Sequence, residues 1–166
     1  MKKTKMFALT AMFAALITVM TAYVCHIPVG VNGGYIHFGD ALIYCAASVL
    51  PLPYALVAAA IGGGLADLLT APMWTVATVI IKMAIALPFT SKKSGTICTR
   101  NIIAVVISGI ISAAGYALAE CIMFGNFAAA IAGIWGSAVQ SCGSAVLFIL
   151  IGFALDKCKV KTKILR

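Results

Sequence analysis

Six long apolar stretches, each closed off by turn-forming or charged residues, set the pattern of the chain. They run over Met6–Val24, Ile36–Leu50, Tyr54–Leu69, Met73–Phe89, Ile102–Phe124 and Phe127–Leu155. The runs are continuous and rich in Ala, Leu and Ile instead of alternating every second residue. That predicts membrane helices and not the strands of a barrel. Pro51 and Pro53 separate the second run from the third, and Thr70-Ala71-Pro72 the third from the fourth. The polar stretch Ser91–Asn101 divides the fourth from the fifth, and Gly125-Asn126 the fifth from the sixth. Segments two to four are short for a hydrocarbon core of about 30 Å, which calls for tilt or incomplete spanning. Residues 25–35, with Pro28, Gly30, Gly33 and Gly34, exceed a tight turn and are a candidate cap.

Composition agrees with a chain built for lipid. Hydrophobic residues make up 63% of the 166 and charged residues 10%, with a mean hydropathy of +1.12. A soluble domain carries roughly 25% charged residues to cover its core. No stretch is left over for a soluble catalytic or nucleotide-binding domain, so the expected fold is an all-α integral membrane domain of six transmembrane helices. The net charge of +8 raises nucleic acid as a partner, but long apolar runs keep the positives from sharing one face.

Placing the charges turns them into a topology signal. Lys2, Lys3 and Lys5 precede the first segment; Lys92, Lys93 and Arg100 lie between the fourth and fifth; Lys157, Lys159, Lys161, Lys163 and Arg166 follow the sixth. With six spans, these eleven of twelve positives fall on one side, so the positive-inside rule puts both termini in the cytoplasm. The first apolar run exceeds a signal-peptide core and no A-x-A site follows it, so it is expected to be a retained helix. The six cysteines are scattered without a C-x-x-C pair and are expected to be apolar fillers or reduced thiols. Cys25, His26, His37 and Asp40 show no metal-ligand spacing, and no metal or cofactor is expected.

Polar side chains inside the apolar runs carry the candidate chemistry. Lys82, the twelfth positive, lies eight residues beyond Trp74, about 12 Å along a helix. Such a charge costs roughly 2.5–3.5 kcal/mol to insert, so it needs a partner or a watery cavity. Thr75, Thr78 and Lys82 share one helix face. Either Lys82 pairs with Asp67, Asp40 or Glu120, or it contacts a ligand directly. Glu120, with Ser112 and Tyr116 at four-residue steps before it, and Trp135, with Gly136, Gln140, Gly143 and Ser144 after it, fall toward the outer half. Helix–helix hydrogen bonding and an aromatic belt account for part of this pattern. An outward-facing pocket for a small polar, aromatic solute accounts for the rest. In the first segment Ala8, Ala11, Ala15, Thr18 and Ala22 draw a small-residue stripe, suited to internal packing or to docking a partner helix. No phosphate-binding loop or hydrolase motif occurs, so the chain is not expected to be an enzyme or to bind ATP itself.

The succession Gly34-Tyr35-Ile36-His37-Phe38-Gly39-Asp40, then Gly62-Gly63-Gly64-Leu65-Ala66-Asp67-Leu68-Leu69, then Pro72-Met73-Trp74-x3-Thr78-x3-Lys82 resembles the substrate-binding S components of energy-coupling factor (ECF) transporters. Ala11-x3-Ala15 is similar to that family's docking motif. The resemblance covers nearly the whole chain, and is nearest to the hydroxymethylpyrimidine and pyridoxine-like branch. It implies the S-component fold and a high-affinity binding subunit that imports a B vitamin or heteroaromatic precursor in a bacterial plasma membrane. It further implies capture under the first extracellular loop, association through the first helix with a membrane T component carrying two ATPases, and release inside on toppling. Tyr35, His37, Trp74, Lys82, Glu120, Asn126, Trp135 and Gln140 are then the candidate substrate contacts, Asp40 and Asp67 structural polar residues, and Ala11 and Ala15 the partner contact. The competing readings are a partner-independent facilitator or channel for small solutes, and a small membrane enzyme or assembly scaffold.

Overall fold

The structure, a computed structural model, describes residues 3–24, 26–28, 35–125 and 127–165. Helix α1 (Lys3–Ala22) is followed by a short antiparallel ribbon, β1 (Ile27–Pro28) and β2 (Tyr35–Ile36), in which Ile27 pairs with Ile36 and Pro28 with Tyr35. Then come α2 (Asp40–Val49), α3 (Leu52–Thr70), a single 3-10 turn (Pro72–Trp74), α4 (Thr75–Ala86), α5 (Thr99–Phe124), α6 (Phe127–Lys157) and α7 (Val160–Leu165). Among the described residues, α1, α3, α5 and α6 are long and apolar enough to cross a membrane, while α2 and the Pro72–Ala86 stretch are shorter apolar helices.

The two short elements have local causes. The second apolar run, expected from Ile36, turns helical only at Asp40, because Tyr35 and Ile36 are used in the ribbon. The fourth, expected from Met73 to Phe89, opens with the 3-10 turn and ends at Ala86, two residues before Pro88. The third begins at Leu52, since Pro51 as N-cap and Pro53 in the first turn suit a helix start. Helix α5 starts three residues earlier than expected and closes at Gly125, whose left-handed φ of 62° ends it. Lys159, with φ 51°, turns the chain from α6 into α7.

Apolar side chains cover the outside of the bundle as well as its core. Ile17, Ile43, Tyr44, Leu50, Ile85 and Phe148 are buried, whereas Val76, Ile110, Ile122 and Phe127 are exposed. The Gly62-Gly63-Gly64 run lets α3 lie close to two neighbours at once. A Cβ at Gly62 would sit 2.7 Å from Ile17 of α1, one at Gly63 2.7 Å from the Lys82 stem, and one at Gly64 2.7 Å from Val79 of α4.

At one end of the bundle, hydrogen bonds gather the basic clusters. Lys5 Nζ donates to the Lys163 carbonyl at 3.3 Å, and Lys161 Nζ to the Gly95 carbonyl at 3.2 Å. Burial pushes the Lys161 ammonium below its usual range. Asp156 at the end of α6 accepts the N–H groups of Thr96 and Ile97 at 2.6 and 2.9 Å, pinning the α4–α5 connection. Asn101, fully buried, accepts the Thr90 N–H at 2.9 Å and donates to the Thr96 carbonyl at 2.9 Å and to Ser48 of α2 at 3.1 Å. The N-terminal, α4–α5 and C-terminal basic stretches, expected to share a side, are thereby tied together.

Gly63→Ala is expected to destabilise by about 1–3 kcal/mol, because the Lys82 stem has to move. Gly133→Ala, with open space around it, is the control and is expected to be neutral or to stabilise by up to about 1 kcal/mol. Thermal unfolding in detergent reads both, and equal behaviour of the two variants contradicts the close α3–α4 approach.

Candidate functional site

The end opposite the basic clusters holds a buried polar network. It is built from the first turn of α2, Thr78 and Lys82 of α4, the last turn of α3, Tyr116 of α5 and the first half of α6. Asp40 opens α2, a position where a carboxylate is favoured by the helix dipole and the free N–H groups of the first turn. Its Oδ1 lies 2.6 Å from Lys82 Nζ, and both residues are 0% exposed. Among the described residues this is the one ion pair. Gln140 Nε2 of α6 donates to the other Asp40 oxygen at 3.0 Å, and Gln140 Oε1 accepts the His37 N–H at 3.3 Å. Lys82 Nζ also stands 5.3 Å from the centre of the Tyr116 ring on α5.

Asp67, near the end of α3, forms the second acidic centre. Tyr35 and Thr78 both donate their hydroxyls to it, and Thr78 Oγ1 and Tyr116 Oη are 3.0 Å apart. Burial, reinforced by the Asp67 carboxylate, raises the Tyr35 phenol above its ordinary range, so it remains a donor. The Gly39 N–H donates to His37 Nδ1 at 3.0 Å, which places the ring proton on Nε2. Aromatic rings wall the network. His26 stacks on Tyr35 at 3.9 Å, Tyr35 meets His37 at 5.5 Å, and Trp74 meets Tyr116 at 6.0 Å and Phe124 at 5.7 Å. The β1–β2 ribbon thus supplies a lid of side chains. Phe38 beyond it packs on Gly143 of α6, where a Cβ would lie 2.1 Å from the ring.

Five of the sequence-derived candidates converge: Tyr35, His37, Lys82 and Gln140 join the network and Trp74 its wall, with Asp40 and Asp67 as its acidic centres. Glu120 is half-buried farther along α5. Trp135 is 78% exposed on α6 and does not enter the network. Asn126 and most of the expected cap, residues 25 and 29–34, lie outside the described residues. Among the described residues no group of three potential metal ligands occurs. Tyr116, Thr78 and His26 are the members the candidate set lacked. Tyr116 and Thr78 were marked by four-residue spacing to Glu120 and Lys82, but His26 had no such signal.

Among the described residues the hydroxyls of Thr21, Tyr44, Thr75, Thr96, Ser112, Ser141 and Ser144 are buried without a hydrogen-bond partner. Ser112 is one turn from Tyr116, and Ser144 one turn from Gln140. Unpaired buried hydroxyls cost roughly 1–3 kcal/mol each. On α1 the small-residue stripe divides. Ala8, Ala11 and Ala15 are exposed, whereas Thr18 donates to the Gly62 carbonyl at 3.1 Å and Ala22 is buried.

Removing one partner of the buried pair strands the other charge. Asp40→Ala and Lys82→Met are each expected to cost about 3–5 kcal/mol, and the double variant clearly less than their sum. Unfolding of all four proteins in detergent measures this coupling, and additive losses contradict the pairing.

Comparison with known proteins completes the picture. Residues 1–157 match the family described as ECF-type riboflavin transporter, S component. A protein of Pyrococcus woesei described as "Uncharacterized protein in gap 3'region" is 28% identical over 140 residues, covering 83% of this chain and 93% of that one. The family match spans the apolar helices, the buried network and the exposed stripe of α1 together. The chain therefore belongs to the S-component family of ECF-type transporters, multi-pass membrane proteins that bind a vitamin and work with a T component and ATPases.

Proposed function

We propose that the network between α2, α4, α5 and α6 is the floor of the vitamin site. The substrate is a heteroaromatic B vitamin or precursor, with a hydroxymethylpyrimidine or pyridoxine-like molecule favoured. The observation that carries this reading is the buried polar network of Asp40, Lys82, Gln140 and Tyr116, with the unpaired hydroxyls of Ser112 and Ser144 one helical turn from Tyr116 and Gln140. A small ring edged with hydroxyl and nitrogen acceptors matches those donors, and the faces of Trp74 and Tyr116 suit ring stacking. Tyr35, His37, Lys82 and Gln140 are proposed as contacts from the lid and floor, joined by Glu120 and Trp135 from the rim, and Asn126, outside the described residues, is kept as a contact on its place in the sequence. Asp40 and Asp67 hold the donors in place. Riboflavin, the vitamin in the family's description, is the second reading, favoured by the match over residues 1–157.

In this reading all six apolar runs traverse a bacterial plasma membrane, the short ones tilted. The basic end faces the cytoplasm and the lid faces outside. Because the polar groups of the network already satisfy one another, entry requires the ribbon and Phe38 to lift from α6. The exposed Ala11 and Ala15 let the T component approach α1 closely, and the two ATPases act through that component. A partner-free facilitator differs in moving solute without ATPases.

Titration of the purified protein with riboflavin, pyridoxine and hydroxymethylpyrimidine tests the assignment. Binding of one of the two smaller ligands is expected, and Trp74→Ala should weaken it about tenfold, as loss of a stacking partner does. Tight binding of riboflavin alone selects the second reading, and no effect of Trp74→Ala or Ser112→Ala on the bound vitamin moves the site elsewhere. Ala11→Trp combined with Ala15→Trp is expected to abolish ATP-dependent uptake while leaving vitamin binding intact. Uptake by vesicles holding this chain alone refutes the partner-dependent mechanism.

A further inference from the structure

At the basic end, far from the vitamin site, an open cavity of about 690 Å³ is lined by Pro88, Lys93, Cys98, Thr99, Arg100, Ile103, Ala104 and Ile107. Its chemistry divides sharply. Lys93 and Arg100, both exposed, mark its mouth, and Arg100 Nε donates to the Pro88 carbonyl at 3.4 Å. The start of α5 faces the same space, and no side chain caps it at Cys98. Its first-turn N–H groups add partial positive charge. None of the four acidic residues lines the cavity. Asp156 is committed to the N–H groups of Thr96 and Ile97. Below the mouth the wall turns apolar. Ile103 and Ile107 are 54% and 42% exposed, and Ile110 continues the same strip down a helix long enough to cross the membrane.

We propose that this cavity seats the headgroup of an anionic membrane phospholipid, whose phosphate meets Lys93, Arg100 and the start of α5. The glycerol and one acyl chain run down the Ile103–Ile107–Ile110 strip. A free phosphate shares the mouth chemistry but leaves that strip uncovered. The apolar continuation is what selects the lipid. The seat also lies on the α4–α5 connection that Asn101 and Asp156 pin, so a bound lipid braces the basic end of the bundle.

Native mass spectrometry of the detergent-purified full chain, titrated with phosphatidylglycerol, tests this. One lipid is expected to be retained in preference to phosphatidylcholine of the same chain length. The Lys93→Gln, Arg100→Gln double variant should weaken retention at least tenfold, each cation near an anionic lipid being worth about fivefold. Ile107→Trp fills the cavity without changing charge and should weaken retention too, which keeps the test decisive where the double variant fails to fold. Lys159→Gln, a cation outside the cavity, should leave retention unchanged. Wild-type retention in the double variant or in Ile107→Trp overturns the proposal. So does an equal loss in Lys159→Gln, or displacement of the lipid by equimolar inorganic phosphate.

Discussion

The contact between Lys82 and Asp40 governs the end of this molecule opposite its basic clusters. An ammonium buried in an apolar bundle is tolerated only when a carboxylate meets it and the remaining lone pairs and protons are satisfied. Here the carboxylate comes from the first residue of α2, where helix termini favour it. Gln140 of α6 fills its second oxygen, and the Tyr116 ring of α5 lies beside the ammonium. Four helices are thereby held in register by one charge pair. Gly63 completes the arrangement from α3, since its missing side chain is the space the Lys82 stem occupies.

Charge is distributed along the bundle by function. At the end opposite the basic clusters the charged and polar side chains of the network pair with one another. At the other end Asn101, Asp156 and Lys161 tie loop backbone to helices. At the first end the polar groups knit buried side chains of several helices together, and at the second they fix loops. Helix α1 connects the two. Its Ala14, Ile17 and Thr18 side packs on the glycine run of α3, while Ala8, Ala11 and Ala15 remain open. A helix with a packed face and an open small-residue face is suited to be fixed in one protein and gripped by another.

Much of the fold is legible in the residues because membrane helices need long apolar runs, and prolines and glycines interrupt them at predictable places. The departures trace to tertiary competition. Tyr35 and Ile36 read as part of an apolar helix, yet pairing with Ile27 and Pro28 makes them a ribbon. The run after Pro72 is shortened at both ends, by its 3-10 turn and by Pro88. In the candidate site, residues whose polarity is anomalous for their surroundings were visible: Lys82, Asp40, Asp67, Gln140. Trp135, chosen for its position near Gln140 in sequence, is exposed instead, because five residues along a helix rotate it out of the Gln140 face.

By itself the sequence determined the helical membrane character, the gathering of eleven cations at segment ends, and the need of Lys82 for a partner. Those follow from composition and one-dimensional spacing, which hydrocarbon and the inserted-charge penalty constrain directly. Only the tertiary structure decided that the partner is Asp40 and not Asp67 or Glu120. Three carboxylates were within plausible reach, and choosing among them depends on where α2, α3 and α5 cross α4. Those crossings are set by side-chain volumes meeting in space, such as the Lys82 stem against Gly63, and such meetings leave no trace in the order of residues along the chain.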